Sequence, residues 1–440
     1  MNRLLDASVL AGPATLIITG FGLVAFVGLL SDRHRRWWTT IVPLVALSAA
    51  AATALSGWVI NTWWRPFPDP LPIRVLLWGG VGLFALGLAG AGWRRRGWPA
   101  RGLAAPLLVL ALLLPAMKIN AVYGYYPTVR AALGIPDANA IELTELPNVP
   151  TLPVRPDQPL AQAWRPPPDM PGAGRVARVE IPGVVSGFRA RPASVYLPPA
   201  YLSAQRRPQL PVLVLIAGQP GSPQDWLVAG KLAQVLDRFA ATHNGLAPVV
   251  VLPDATGSTL ANPLCLDSRL GNVETYLARD VPDWITTALH TDPDPRRRAI
   301  GGFSYGGTCA LQLAVRQPAV YPTFLDISGQ AEPTLGTREQ TVQAAFGGDQ
   351  SAYRAVNPLD ILATTRFPHT AGVLAVGRDD RDYGPQARTV LDAAQRSGMN
   401  IELLELPGGH SWTMATTALD DALPWLAGRT HLTPQANPNQ

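Results

Sequence analysis

The sequence is poor in lysine and poor in charge. Its 440 residues include only two lysines, Lys118 and Lys231, so arginine carries almost all of the positive charge. Charged residues make up 15% of the chain, against about 25% in an average soluble protein. No run of basic residues alternates with aromatic residues, and the net charge is only +5, so we expect no nucleic-acid partner. The low charge instead indicates a chain that lies partly in lipid or has an unusually large core.

Cysteine and histidine are also scarce. There are two cysteines and six histidines, with no Cys-x-x-Cys pair and no cluster at the spacing of metal ligands. The sequence therefore predicts no metal site, and we expect no cofactor.

Long apolar stretches, in contrast, are abundant near the N-terminus. Four of them are almost free of charge, and a helix of about 20 residues crosses a hydrocarbon core of about 30 Å. None carries the polar stripe of a helix at the surface of a soluble protein. We therefore interpret residues 1–122 as an all-α, four-helix transmembrane domain. The four spans are expected at 9–30, 39–60, 75–92 and 103–122.

The loops between these spans predict the orientation of the domain. The first loop contains Arg33, Arg35 and Arg36, and the third contains three consecutive arginines at 94–96, whereas the second has a single arginine. Short loops that are rich in arginine stay in the cytoplasm. We therefore expect a multi-pass protein of the cell membrane in which everything after about residue 122 is extracytoplasmic.

The remainder of the chain falls into three parts. Residues 123–174 are rich in proline, which predicts an extended linker, and residues 429–440 are expected to be a disordered tail. Residues 175–428 alternate strand-like and helix-like stretches, and the continuously apolar strands are typical of a mostly parallel sheet covered by helices. The strands are predicted at 176–181, 193–197, 211–217, 248–252, 297–301, 323–327, 371–376 and 401–406. The helices are predicted at 223–241, 275–289, 306–317, 337–346, 384–397 and 411–427.

One motif in this region points to catalysis. The segment Gly302-Phe303-Ser304-Tyr305-Gly306 is a G-x-S-x-G sequence between a strand-like and a helix-like stretch. In that context the serine occupies a sharp turn that raises its hydroxyl above the edge of the sheet, where larger side chains at the glycine positions would collide. We therefore predict Ser304 as a nucleophile; the alternative is a glycine-rich turn that only ends a strand.

A serine hydroxyl becomes a good nucleophile when a base removes its proton. In the fold that carries this motif, an acid and a histidine follow the serine in that order, on loops after later strands. His410 follows the last predicted strand and is the candidate base. For the acid we prefer Asp380, with Asp379 second and Asp382 third, since all three follow the preceding strand.

The oxygen that becomes negatively charged during acyl transfer needs two backbone N–H donors. One is expected from Tyr305, directly after the serine. The other is expected from Gln219, in the turn after the first central strand, where flanking glycines let the backbone bend toward substrate.

The two cysteines are candidates for a disulfide. Cys309 lies on the helix that Ser304 begins, and Cys265 follows a strand whose exit loop should lie along the same sheet edge. An extracytoplasmic domain permits oxidation. Two buried thiols remain the alternative.

These segments resemble a known family. GGFSYGG, GGHSW, ETYLARDVPDWI and the late aspartate are similar to the esterase D branch of the α/β-hydrolases, which contains S-formylglutathione hydrolases, feruloyl and siderophore esterases and secreted mycolyltransferases. The resemblance covers roughly residues 176–427. It implies an α/β-hydrolase fold in which the candidates form a Ser-His-Asp triad and an oxyanion hole: Ser304, His410, Asp380, Tyr305 and Gln219.

We therefore expect a membrane-anchored, extracytoplasmic serine esterase or acyltransferase. It would act through an acyl-enzyme on acyl esters such as lipids or glycolipids of the cell envelope, with membrane lipid as a further partner. The alternative is a catalytically inactive member of the fold that serves as a binding or scaffold protein of the envelope.

Overall fold

The computed structural model describes residues 2–64, 70–93, 98–133, 135, 140–152 and 158–435. The chain divides into two compact units, Met1–Pro136 and Asp137–Gln440. The two units differ in class, because the first is built from helices and the second around a sheet.

The first unit contains four long apolar helices, as predicted. Each is long and apolar enough to cross a membrane, with a mean hydropathy between 1.7 and 2.1. The second helix is continued by one π-helical turn at each end. Arg33, Arg35 and Arg36 lie exposed between the first two helices, whereas the arginines at 94–96 lie outside the described residues. The helices are α1 Pro13–Leu30, α2 Val42–Trp58, α3 Ile73–Trp93 and α4 Trp98–Tyr123.

Small residues let these helices approach closely. A Cβ atom on Gly22 of α1 would lie 2.8 Å from the Cβ of Leu114 in α4. A Cβ atom on Gly87 of α3 would lie 2.4 Å from a methyl group of Val45 in α2. Close packing of this kind is how helices associate where no hydrophobic force from water acts between them.

The second unit is built on one eight-stranded sheet. Its strand order is β8-β7-β6-β5-β3-β4-β2-β1, and neighbours are parallel except that β2 runs antiparallel to both β1 and β4. All eight predicted strands are present, with bounds within two residues of those predicted. The strands are β1 Arg175–Val179, β2 Ala193–Leu197, β3 Val212–Ile216, β4 Val249–Leu252, β5 Arg298–Phe303, β6 Thr323–Ile327, β7 Ala371–Gly377 and β8 Asn400–Leu406.

The central strands form because their side chains are apolar on both faces. Every residue of β3 (VLVLI) and of β4 (VVVL) is buried, as expected for strands with helices on both sides. The loops after β3, β5, β7 and β8 leave the carboxyl ends of parallel strands, so they meet at one edge of the sheet. In open sheets of this type, ligands bind at that edge.

Helices cover the sheet in two groups. One group consists of α7, α9 and α10, and in the other α5 packs against α11. The predicted helix at 223–241 is wrong in one respect: it is broken near Lys231, which adopts a left-handed backbone conformation (φ 48°). The principal helices are α5 Leu232–Thr242, α6 Val281–Ala288, α7 Tyr305–Arg316, α8 Arg338–Phe346, α9 Pro358–Thr364, α10 Tyr383–Arg396 and α11 Trp412–Arg429.

Two expectations about the flanking segments are wrong. Part of the proline-rich stretch belongs to the core, because Leu160 and Trp164 are almost completely buried. The segment after α11 is ordered as far as residue 435, with Leu432 fully buried and the carbonyl of His431 accepting a hydrogen bond from Leu160 N–H at 3.0 Å. The large apolar side chains of both segments are buried together despite the polar composition around them. The last five residues, 436–440, lie outside the described residues.

Candidate active site

Ser304 stands at a strained turn between β5 and α7. Its backbone angles are φ 58° and ψ −117°, a region that residues other than glycine rarely occupy. Its N–H donates to the carbonyl of Ile327 on the neighbouring strand at 2.8 Å, which helps to hold the turn. Strain of this kind persists only where surrounding structure maintains it, and it is common at functional sites.

The two flanking glycines are required by the tightness of this turn. A Cβ atom on Gly302 would lie 2.3 Å from the carbonyl carbon of Gly306. A Cβ atom on Gly306 would lie 2.2 Å from the carbonyl oxygen of Ile216, at the end of β3. Both distances are far shorter than any real contact. A larger residue at either position would therefore collide with the backbone, as the motif predicts.

His410 and Asp380 meet at the same edge of the sheet. His410 lies between β8 and α11, and Asp380 follows β7. The Nδ1 atom of His410 is 3.2 Å from Oδ2 of Asp380, whose side chain is 3% exposed. The other carboxylate oxygen of Asp380 accepts a hydrogen bond from the N–H of Tyr383 at 3.0 Å.

The choice among the three aspartates follows from this contact. Burial alone would raise the pKa of Asp380, but hydrogen bonds from His410 and from backbone N–H groups outweigh it, and the pKa falls below its ordinary value. The side chain is therefore ionised at neutral pH. Asp379 and Asp382 are exposed, and in the described part of the chain neither makes a contact to the imidazole.

Two aromatic rings hold the imidazole of His410. Its ring centroid lies 4.8 Å from that of Phe303, the residue before the serine, and 4.3 Å from that of Tyr383. These contacts hold the ring beside the Ser304 turn. Among the described residues no hydrogen bond joins Ser304 Oγ to the imidazole, so a rotation of the ring or of the serine has to close that distance to about 3 Å.

The predicted oxyanion donors belong to segments that pass beside the serine. Tyr305 is the first residue of α7, and Gln219 follows Gly218, whose Cβ position is 3.4 Å from the Cβ of Ser304. Gln219 is joined to Pro220 by a cis peptide bond, and its side-chain amide donates to the carbonyl of Leu260 at 2.9 Å. Both backbone N–H groups therefore belong to segments in the immediate surroundings of the serine.

The two cysteines form a disulfide. The Cα atoms of Cys265 and Cys309 are 5.4 Å apart, and both residues are fully buried. The hydroxyl of Tyr305 binds the same loop, since it accepts from Cys265 N–H at 3.1 Å and donates to the carbonyl of Ala255 at 3.0 Å. The alternative of two buried thiols is thereby excluded.

A buried carboxyl group lies under the first turn of α7 and was not predicted. Asp326, on β6, accepts a hydrogen bond from Gly329 N–H at 2.8 Å, and a Cβ atom on Gly307 would come within 2.3 Å of it. Burial raises the pKa of Asp326 to about 7.

Sequence reasoning also missed the residues that support the site. The motif leaves position 303 open, although the ring of Phe303 contacts the imidazole, and no local pattern marks Arg191, which pairs with Asp254 at 2.7 Å. One signal was present: Asp254 closely follows the apolar strand β4, and a charged residue at the carboxyl end of a central strand is a candidate for a role at the site. No group of three potential metal ligands occurs among the residues that the structure describes.

Comparison with known proteins identifies the family of the chain. The model of the Esterase family, described as "Putative esterase", matches residues 188–426. An uncharacterized protein of Corynebacterium glutamicum is 36% identical over 443 residues, which cover 98% of this chain and 99% of that protein.

Two solved structures share the fold of the second unit. A ferulic acid esterase is 18% identical with a TM-score of 0.51, and the match covers 58% of this chain and 98% of the esterase. An S-formylglutathione hydrolase from Agrobacterium tumefaciens is 19% identical with a TM-score of 0.50, and the match covers 60% of this chain and 98% of the hydrolase. The expected α/β-hydrolase fold is confirmed, and the chain belongs to the Esterase family.

Proposed function

We propose that this protein is a membrane-anchored serine esterase or acyltransferase whose catalytic unit acts outside the cytoplasm. The observation that carries the proposal is the contact between Asp380 and His410 beside the strained turn of Ser304. An ionised Asp380 keeps the proton of the neutral imidazole on Nδ1, which leaves the lone pair of Nε2 available as a base.

The reaction follows from these roles. Ser304 Oγ attacks the carbonyl carbon of an acyl ester while His410 Nε2 takes its proton, and the Asp380 carboxylate stabilises the imidazolium that forms. The carbonyl oxygen becomes negatively charged and is held by the N–H groups of Tyr305 and Gln219. Collapse of this intermediate expels the alcohol, which receives the proton from His410. Water or a sugar hydroxyl then resolves the acyl-enzyme.

One exposed apolar side chain beside the site supports a lipid-like acyl ester as substrate. In the described part of the second unit, the large hydrophobic side chains that are exposed are Val184, Val185, Leu260 and Leu270. Leu260 adjoins the turn at 218–221 that contains Gln219, called here the oxyanion turn, since its carbonyl accepts from the side chain of Gln219. Exposed apolar side chains beside a site are typical of surfaces that bind apolar ligands.

Two features support the location. The four apolar helices suit a membrane anchor, and the arginine-rich loops between them favour a catalytic unit on the outer side. A disulfide in that unit agrees with an oxidising compartment. Envelope lipids and glycolipids are the acyl esters that such an enzyme would meet.

The test is hydrolysis of a p-nitrophenyl acyl ester by the full-length protein in detergent. Ser304→Ala is expected to lower kcat at least about 1,000-fold, because the nucleophile is lost. Ser328→Ala is the matched control: within the described residues the buried hydroxyl of Ser328 makes no hydrogen bond, so its removal should leave turnover within twofold.

Equal turnover by wild type and Ser304→Ala would refute the serine mechanism. A wild-type protein that neither hydrolyses the ester nor reacts with a fluorophosphonate probe would instead support the binding or scaffold role. Product analysis with a sugar acceptor present separates hydrolysis from acyl transfer, since only the transferase forms a new sugar ester.

A further inference from the structure

A buried ion pair lies next to the oxyanion turn. The carboxylate of Asp254 is 1% exposed, and the Arg191 guanidinium binds both of its oxygens, through Nε at 3.0 Å and Nη2 at 2.7 Å. The N–H groups of Thr256 and Gly257 and the N–H of Arg191 itself also donate to this carboxylate. A buried carboxylate is tolerated when it is paired and hydrogen-bonded in this way, and the pKa of Asp254 is lowered accordingly although burial opposes the shift.

The same guanidinium reaches the turn that contains Gln219. Its Nη2 donates to the carbonyl of Gly221 at 3.0 Å. The N–H of Gly221 donates in turn to the carbonyl of Thr259 at 3.1 Å, and the side chain of Gln219 donates to the carbonyl of Leu260 at 2.9 Å. Three hydrogen bonds thus hold the oxyanion turn. The Arg191 guanidinium donates one of them, and it also binds the loop after β4 that contains Asp254.

We propose that Arg191, oriented by Asp254, is a positioning residue that holds the Gln219 N–H in the direction of the substrate oxygen. The inference rests on the proposed serine mechanism and extends it, because Arg191 acts through the main chain between Gly221 and Gln219 and not on substrate. The guanidinium suits this task since its planar fork serves both carboxylate oxygens and the Gly221 carbonyl at once.

A lysine in place of Arg191 would keep the charge but not the fork. Its three N–H donors share one nitrogen at the end of a flexible stem, so it cannot hold both carboxylate oxygens and the carbonyl in the same geometry. Loss of one oxyanion donor typically costs about 100- to 1,000-fold in kcat. A donor that is displaced but still present should lower kcat by less than its complete loss. We therefore expect kcat of Arg191→Lys to fall about 10- to 100-fold, with KM within about twofold of wild type.

The experiment compares Arg191→Lys with Arg238→Lys in the full-length protein. Arg238 pairs with Asp420 on the surface, with side chains 58% and 42% exposed, so the same chemical change occurs there in an ion pair away from the site. Besides kcat and KM for a p-nitrophenyl ester, the inhibition constant of a trifluoromethyl ketone is measured, because its adduct with serine carries the oxyanion. A second variant, Arg191→Gln with Asp254→Asn, removes both charges together and keeps the test valid if the lysine variant does not fold.

The inference predicts that the ketone binds both Arg191 variants more weakly by the factor by which kcat/KM falls, while Arg238→Lys resembles wild type. A role in stability alone would lower the amount of active enzyme, titrated with a fluorophosphonate, and leave the ketone constant unchanged; that result would overturn the inference. So would wild-type kinetics in a folded variant. Full activity of Ser304→Ala would refute the serine mechanism itself, so the two failures are distinguishable.

Discussion

Removal of the disulfide should destabilise the second unit by a predictable amount. Cys265 and Cys309 are separated by 44 residues. Closing a loop of that length removes about 13 cal/mol/K of entropy from the unfolded chain, which corresponds to about 4 kcal/mol at 25 °C. The double variant Cys265→Ala, Cys309→Ala is therefore expected to lose about 4 kcal/mol of unfolding free energy.

Pulse proteolysis of the full-length protein across a urea series measures this loss, since only the unfolded second unit is cleaved. With a urea dependence of about 3 kcal/mol per M, the midpoint should fall by about 1.3 M. Wild type with a reductant in the same series is the control. Both cysteines are fully buried, so the reductant acts after unfolding and leaves both sulfur atoms in place.

Comparing the alanine variant with reduced wild type separates the effect of the covalent bond from the effect of side-chain packing. A midpoint lowered in the alanine variant but not in reduced wild type would mean that lost volume, and not the covalent bond, provides the stability. Unchanged midpoints in both would refute the entropic reasoning altogether.

Three further predictions follow from the site. Asp380→Asn should lower kcat for a p-nitrophenyl ester by about 100- to 10,000-fold, since the imidazole loses the group that fixes its tautomer, whereas Asp379→Asn at the exposed neighbouring position should stay within twofold; similar losses in both would contradict the assignment. Asp326 ionises with a pKa of about 7 in the folded protein, above the unfolded value of 3.8, so its own contribution to stability should fall as pH rises from about 4 to 7 and level off above. Asp326→Asn should abolish that loss, about 4 kcal/mol for about three pKa units, and parallel pH profiles of the urea midpoint in wild type and variant would count against it. Gly302→Ala should abolish both ester turnover and fluorophosphonate labelling, because the new methyl group would enter the Gly306 carbonyl; an active variant would show that the turn can relax.

The sheet and the site could be predicted because each depends on a local pattern. Continuous apolar runs such as those of β3 and β4 occur where a strand is buried on both faces. The G-x-S-x-G turn is recognisable because glycine is the residue that such close backbone approach allows. His410 and Asp380 were found through their positions after strands.

Features that depend on contacts distant in sequence were missed. The indole N–H of buried Trp164 donates to the carbonyl of Asn244, 80 residues away, and the nearby Leu160 N–H donates to the segment that follows α11. The proline-rich composition around these residues does not indicate such contacts. The pair of Arg191 and Asp254 spans 63 residues and depends on the return of β4 beside β2. Neither follows from local propensity or periodicity.

The most direct test of the central claim is peptide mass spectrometry after reaction of the full-length protein with a fluorophosphonate. If Ser304 is a nucleophile activated by His410, the phosphonyl group should be found on the peptide that contains Ser304, and His410→Ala should abolish it. An adduct on another serine, or labelling that survives the loss of His410, would contradict the account.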